Sequence, residues 1–160
     1  MSKVLIVYYS RSGNTEKMSK LIEEGVKSEG LEVIRKRVED TKVDELLSVD
    51  AVIMGSPDYY GTMAYELKKF LDESVKFHGK LDGKVGAAFS SSANIGGGNE
   101  TTILGIINVL LIHGMVVQGD PQGDHYGPVS IASPDERAAK ECKRLGQRVA
   151  RLIKRLSGTK

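Results

Sequence analysis

Apolar residues follow two rhythms along the chain. Val4-Leu-Ile-Val-Tyr-Tyr9 and Ala51-Val-Ile-Met54 are unbroken apolar runs, too short for helices. Such runs predict strands buried on both faces of a sheet. Lys84 to Phe89 and Met115-Val-Val117 extend the set. Leu31 to Val38, with Glu32, Arg35, Lys36 and Arg37, reads as a strand charged enough for an exposed edge. Between the strands the apolar positions step by three and four. Met18, Leu21, Ile22 and Val26 mark a first helix, closed by Gly30. Leu67, Phe70, Leu71 and Val75 mark a second, spanning Met63 to Val75. Glu100 to His113 is apolar on most sides and is expected to be the most buried helix. The last spans Pro134 to Leu156, with Ser133 as N-cap and Ala138, Cys142, Leu145, Val149, Leu152 and Leu156 on one face. Asp40 to Leu47 is a polar connection with room for one or two helical turns.

Strands alternating with helices predict an α/β fold, a doubly wound five-stranded parallel sheet with helices on both faces. The charged second strand belongs at an edge and the apolar first strand in the middle, which favours the order 2-1-3-4-5. In that order a ligand sits at the carboxyl ends around the first and third strands. With 160 residues and no repeat, linker or low-complexity segment, the expectation is one domain, residues 1–160.

Charge and cysteine content narrow the function classes. The net charge is +2, from 23 basic and 21 acidic residues spread along the helices, which gives no basis for a nucleic-acid or anionic-membrane partner. The single cysteine, Cys142, excludes an internal disulfide and a cysteine metal cluster, and its helical spacing makes it a small core residue. Ile103 to Val117 is the most apolar stretch, but Gly105, Asn108, His113 and Gly114 interrupt it and it is too short to span a bilayer. The N-terminus carries no charged-then-apolar leader, so a cytoplasmic protein is expected.

Three strand-end loops carry the candidate chemistry. Ser10-Arg-Ser-Gly-Asn-Thr15 joins the first strand to the first helix. Free amides of a first helical turn attract an anion, Gly13 permits close backbone approach, and Ser10, Ser12, Asn14 and Thr15 add short donors beside Arg11. An ordinary turn would need only Asn14 or Thr15 as its cap. Gly55-Ser-Pro-Asp-Tyr-Tyr-Gly61 sets Asp58, Tyr59 and Tyr60 between Pro57 and Gly61, an aromatic face for a planar ligand or else an exposed turn. Ser90-Ser-Ser-Ala-Asn-Ile-Gly-Gly-Gly-Asn99 has Ile95 as its one large side chain, and leaves backbone groups open to a ligand edge. No lysine follows the first loop's glycine and no G-x-G-x-x-G follows the first strand, so Walker and dinucleotide fingerprints are absent. His113 and His125 fall near strand ends, each either structural or lining a pocket.

Ser10 to Thr15 resembles the phosphate loop of flavodoxins, which bind flavin mononucleotide (FMN). Gly55 to Gly61, Leu67-Lys-Lys-Phe-Leu-Asp72, Phe89-Ser-Ser-Ser and Gly96-Gly-Gly-Asn-Glu-Thr-Thr102 narrow the match. With His113-Gly-Met-Val116 and Tyr126-Gly127 they resemble the WrbA family of NAD(P)H:quinone oxidoreductases, nearly end to end. The resemblance implies a flavodoxin-like fold and two-electron reduction of a quinone by NAD(P)H through FMN. It implies that Ser10, Arg11, Ser12, Gly13, Asn14 and Thr15 hold the FMN phosphate. Pro57, Asp58 and Tyr59, with Tyr60 and Gly61, would border the ring. Ser91, Ser92, Ala93, Asn94, Ile95, Gly96 and Gly97 would meet its polar edge and ribityl chain. A homodimer or homotetramer is implied too, since a neighbouring subunit covers part of the pocket in that family. Four features depart from the pattern. The third loop is one residue longer, Ile112 replaces the first histidine of a pair, Ser12 stands where the family has an aromatic, and the inserted segments after the second strand are missing.

The leading expectation is therefore an FMN-dependent NAD(P)H:quinone oxidoreductase, in which the cofactor does the chemistry and no side chain need be catalytic. His125 and Tyr126 are candidates for the substrate face. The alternative is a flavodoxin-type electron carrier. Such carriers are strongly acidic, and usually sandwich the ring with an aromatic from the third loop, whereas this chain has neither feature. An interaction protein that has lost its flavin is a third reading, opposed by the intact phosphate loop.

Overall fold

The computed structural model describes residues 2–158. Eleven elements follow in chain order: β1 (Lys3–Tyr8), α1 (Asn14–Ser28), β2 (Glu32–Arg37), β3 (Ala51–Tyr59), β4 (Thr62–Met63), α2 (Tyr65–Glu73), β5 (Val85–Ser92), α3 (Asn99–Ile112), β6 (Val116–Val117), β7 (Val129–Ile131) and α4 (Glu136–Leu156). Short 3-10 turns occupy Val38–Asp40, Val43–Ser48 and Ser74–Phe77, the first two in the polar connection.

The sheet runs β2-β1-β3-β5-β6, with charged β2 at the edge and apolar β1 inside, as the charge pattern predicts. Its fifth position is shared by two short strands. β6 pairs with Val85 and Gly86 of β5, and β7 with Ser90, Ser91 and Ser92. Residues 118–128 leave the sheet between them, since Gly119, Pro121, Gly123, Gly127 and Pro128 form no ladder. Two strands also outrun their expected ends. β3 continues from Met54 to Tyr59 and turns back through Tyr60 and Gly61 into antiparallel β4. Both turn residues have positive φ, 53° and 86°, as a two-residue hairpin of type I′ demands. β5 continues past Phe89 to Ser92 because Ser56 and Pro57 flank it on one side and β7 on the other.

Alternation along β1 sends successive side chains to opposite faces. Leu5 and Val7 join Leu67, Phe70, Ile103, Ile106 and Leu110 under α2 and α3. Val4, Ile6 and Tyr8 join Met18, Ile22, Val26, Cys142 and Val149 under α1 and α4. α1 and α4 cross backbone to backbone, where a Cβ on Gly146 would strike the Ile22 carbonyl and one on Gly25 the Lys143 carbonyl. α3 has the largest buried share of the four helices, as expected, yet its outer side is uncovered and leaves Leu104, Leu111 and Ile112 exposed. α4 starts at Glu136, two residues after Pro134, and its N-cap is Asp135, which accepts from the Ala138 amide at 2.8 Å. Ser133, the expected cap, instead meets Lys17 Nζ at 3.1 Å. Burial pushes the Cys142 thiol up to about 12, which keeps it an inert core residue.

Candidate functional site

The carboxyl ends of β1, β3 and β5 lie side by side, and their loops form the site. After β1 the chain folds around a buried hydroxyl. Ser10 Oγ accepts from the amides of Gly13 at 3.1 Å and Glu16 at 3.2 Å. Gly13 caps α1 with φ +94°, and a Cβ there would meet no protein atom within 4 Å. Glycine is needed there for its backbone angle, and the space beyond it is open. Neither Asn14 nor Thr15 caps the helix; the N-cap residue is Gly13, and Ser10 Oγ takes up the Glu16 amide of the first turn. Among the described residues, the amides of Arg11, Ser12, Asn14 and Thr15 meet no acceptor. Adjacent unpartnered donors at a helix N-terminus suit a phosphate-sized oxyanion. Ser12 is exposed and Asn14 half-buried beside them. Thr15 is buried, and its Oγ1 lies 2.9 Å from Ser91 Oγ, tying the loop to β5.

Pro57, Asp58 and Tyr59 fall at the end of β3 rather than in a free loop. Asp58 Oδ2 accepts from Thr102 Oγ1 at 2.8 Å, and a Cβ on Gly98 would run into that carboxylate. The expected acid of the pocket is thus turned onto the positive end of α3. Thr101 Oγ1 donates to the Gly61 carbonyl at 2.7 Å, so the helix start holds both strands of the hairpin. Tyr59 meets Tyr9 edge to face, with ring centroids 6.2 Å apart, and Tyr60 stands fully exposed at the tip. Burial, with the Glu66 carboxylate nearby, raises the Tyr9 hydroxyl above its ordinary value, so the phenol stays protonated.

Ser91 and Ser92 are the last residues of buried β5. Their hydroxyls are engaged internally, Ser91 with Thr15 and Ser92 with the Asn94 carbonyl at 2.9 Å and Asn99 Nδ2 at 3.1 Å. Ala93, Asn94, Ile95 and Gly96 are exposed, Gly97 is half-buried, and this backbone is the part of the loop open to a ligand. A groove beside it is lined by Ile95, Gly96, Glu100, Ile131, Asp135 and Arg137.

The histidines fall elsewhere. His125 and Tyr126 line a separate small recess with Ala87, Val117, Leu145 and Arg148. There His125 Nδ1 lies 2.7 Å from the Asp120 carbonyl. Hydrogen bonds from Arg144 hold the Asp120 carboxyl down at about 2 and fasten the segment to α4. His113 is buried against Ser74 Oγ at 2.7 Å, far from any strand-end loop in its contacts. Two residues that serve the site escape a pattern reading. Thr102 holds Asp58, and Arg37 donates to the Ser10 carbonyl at 2.7 Å. Parallel register sets Arg37 beside Tyr8, the last residue of β1, and that register was the available signal.

The Flavodoxin domain model matches residues 5–97, and the chain belongs to the flavodoxin family. A flavodoxin of Aquifex aeolicus is 40% identical over 162 residues, 96% of this chain and 88% of that protein. An NAD(P)H dehydrogenase (quinone) of Sinorhizobium fredii is 44% identical over 143 residues, 76% of this chain and 72% of that one. A second protein of that name, from Archaeoglobus fulgidus, is 32% identical over 190 residues, covering 98% and 100%. Among solved structures, the WrbA-like flavodoxin of Agrobacterium tumefaciens matches with a TM-score of 0.82 at 25% identity, over 97% of this chain and 99% of that one. No helix among the described residues is long and apolar enough to cross a membrane.

Proposed function

We propose that this chain binds FMN and works in the cytoplasm as an NAD(P)H:quinone oxidoreductase. FMN, when bound, supplies acceptance of a hydride and onward delivery of two electrons to a quinone. Ser10, Arg11, Ser12, Gly13, Asn14 and Thr15 hold its phosphate, through the unpartnered amides above. The hairpin and residues 93–97 border its ring. One observation carries the two-electron reading: the Asp58 carboxylate is committed to Thr102, and neither ring-bordering loop contributes another acid. That single carboxylate, turned onto the start of α3, is all that these loops set against full reduction of the flavin by like charge. The test is anaerobic mixing of the flavin-loaded protein with NADH or NADPH, followed by benzoquinone. Bleaching by one nucleotide and recovery on adding quinone are expected; no bleaching by either would reject the enzyme.

A carrier is the second reading, favoured by how few gaps the flavodoxin alignment needs. The alignment with the Aquifex flavodoxin spans 162 residues, close to the 160 of this chain, whereas that with the Archaeoglobus quinone dehydrogenase spans 190. The Archaeoglobus protein has inserted segments without a counterpart here.

A further inference from the structure

The proposed phosphate cradle is supported from outside by an arginine on the sheet edge. Arg37 is the last residue of β2, in register with Tyr8 where β1 ends. Its guanidinium reaches across the end of β1, 5.9 Å from the Tyr8 ring centroid, and Nη2 donates to the Ser10 carbonyl at 2.7 Å. Glu39 lies 3.3 Å from Nη2 and Glu16 3.8 Å from Nη1, so two carboxylates fix the plane of the fork. A trans peptide points its C=O and the following N–H to opposite sides. Holding the Ser10 carbonyl toward Arg37 therefore turns the Arg11 amide the other way, toward the open side of the loop. That amide is one of those with no acceptor among the described residues.

We infer that Arg37 is a positioning residue which orients the Arg11 amide toward the flavin phosphate and so sets the preference for FMN over riboflavin. The inference rests on the FMN reading. Arg37 needs no contact with the phosphate, because it acts through the Ser10–Arg11 peptide.

The test titrates FMN and riboflavin into the full-length protein freed of flavin, following quenching of flavin fluorescence. The parent, Arg37→Lys and Arg37→Met are compared. Arg37→Met is expected to weaken FMN binding about tenfold while leaving riboflavin affinity unchanged, which also reports an intact fold. Arg37→Lys should recover most of the loss, since an ammonium keeps the charge and one donor. Unchanged FMN affinity in Arg37→Met, or equal losses for FMN and riboflavin, would overturn the inference. A parent that binds riboflavin as tightly as FMN would reject the phosphate cradle itself, and the role of Arg37 with it.

Discussion

His113 shows how one side chain ties stability to pH. Ser74 Oγ donates to the Leu71 carbonyl at 2.6 Å, so the 2.7 Å contact with His113 Nε2 requires the imidazole to donate from that nitrogen. Nδ1 is then the unprotonated nitrogen, and it is buried without a partner among the described residues. Adding a proton would bury an N–H with no acceptor, close to His78, whose ring centroid is 6.4 Å away. Burial first, and His78 second, lower the pKa of His113 below its ordinary 6.5. The folded protein thus binds the proton less readily than the unfolded chain. Its contribution to stability is full above about pH 6.5 and is lost as pH falls through the lower folded value. Thermal melts from pH 7.5 to 5 should show a falling midpoint in the parent. In His113→Phe that part of the slope should vanish, and an unchanged slope would assign the pH dependence to other groups.

At the scale of elements, the α1–α4 crossing makes a sharp prediction. Alanine in place of glycine inside a helix ordinarily gains about 1 kcal/mol. At Gly146, however, the new methyl would overlap the backbone carbonyl of Ile22, and a backbone cannot swing aside as a side chain can. Separating the helices costs about 1–3 kcal/mol, so Gly146→Ala should lower stability in denaturant melts despite its better propensity. Greater stability in the variant would show the crossing to be loose. The glycine's purpose was invisible in the sequence, because helical spacing tells which face is buried and nothing of how near the facing backbone comes. The same limit explains the other differences. Apolar runs and charge located β1, β3 and the edge position of β2, and the loops after β1, β3 and β5 meet at one end of the sheet as expected. Gly55, Pro57, Asp58 and a run of serines are weak strand formers, so the extensions of β5 to Ser92 and β3 to Tyr59, made by pairing with neighbours, left no local mark. Asp58 could be named as a pocket acid from its position, yet its partner Thr102 lies 44 residues further along, in α3.

For the whole molecule, the assembly and the redox behaviour bear on each other. The ring-bordering backbone is exposed, with Ile95 and Tyr60 projecting into solvent, which suits a pocket completed by a second subunit. Light scattering is expected to give a dimer or tetramer at micromolar concentration, and a monomer would shift weight to the carrier. The decisive measurement is the separation of the flavin's two reduction steps. A carrier holds the one-electron state by making the second electron costly, in part through carboxylates near the reduced ring. Two like charges 4 Å apart repel by about 4 kcal/mol at an effective dielectric near 20, about a thousandfold in population. Here Asp58 is the one carboxylate in the two bordering loops, and it is held by Thr102 at the start of α3, where the positive end of the helix offsets part of its field. The repulsion on a fully reduced flavin should therefore be small and the two potentials close together. Stepwise anaerobic reduction should bleach the oxidised spectrum with little one-electron-reduced form accumulating. A parent protein that accumulates the one-electron form stably, and leaves NADH and NADPH unoxidised with benzoquinone present, would be an electron carrier.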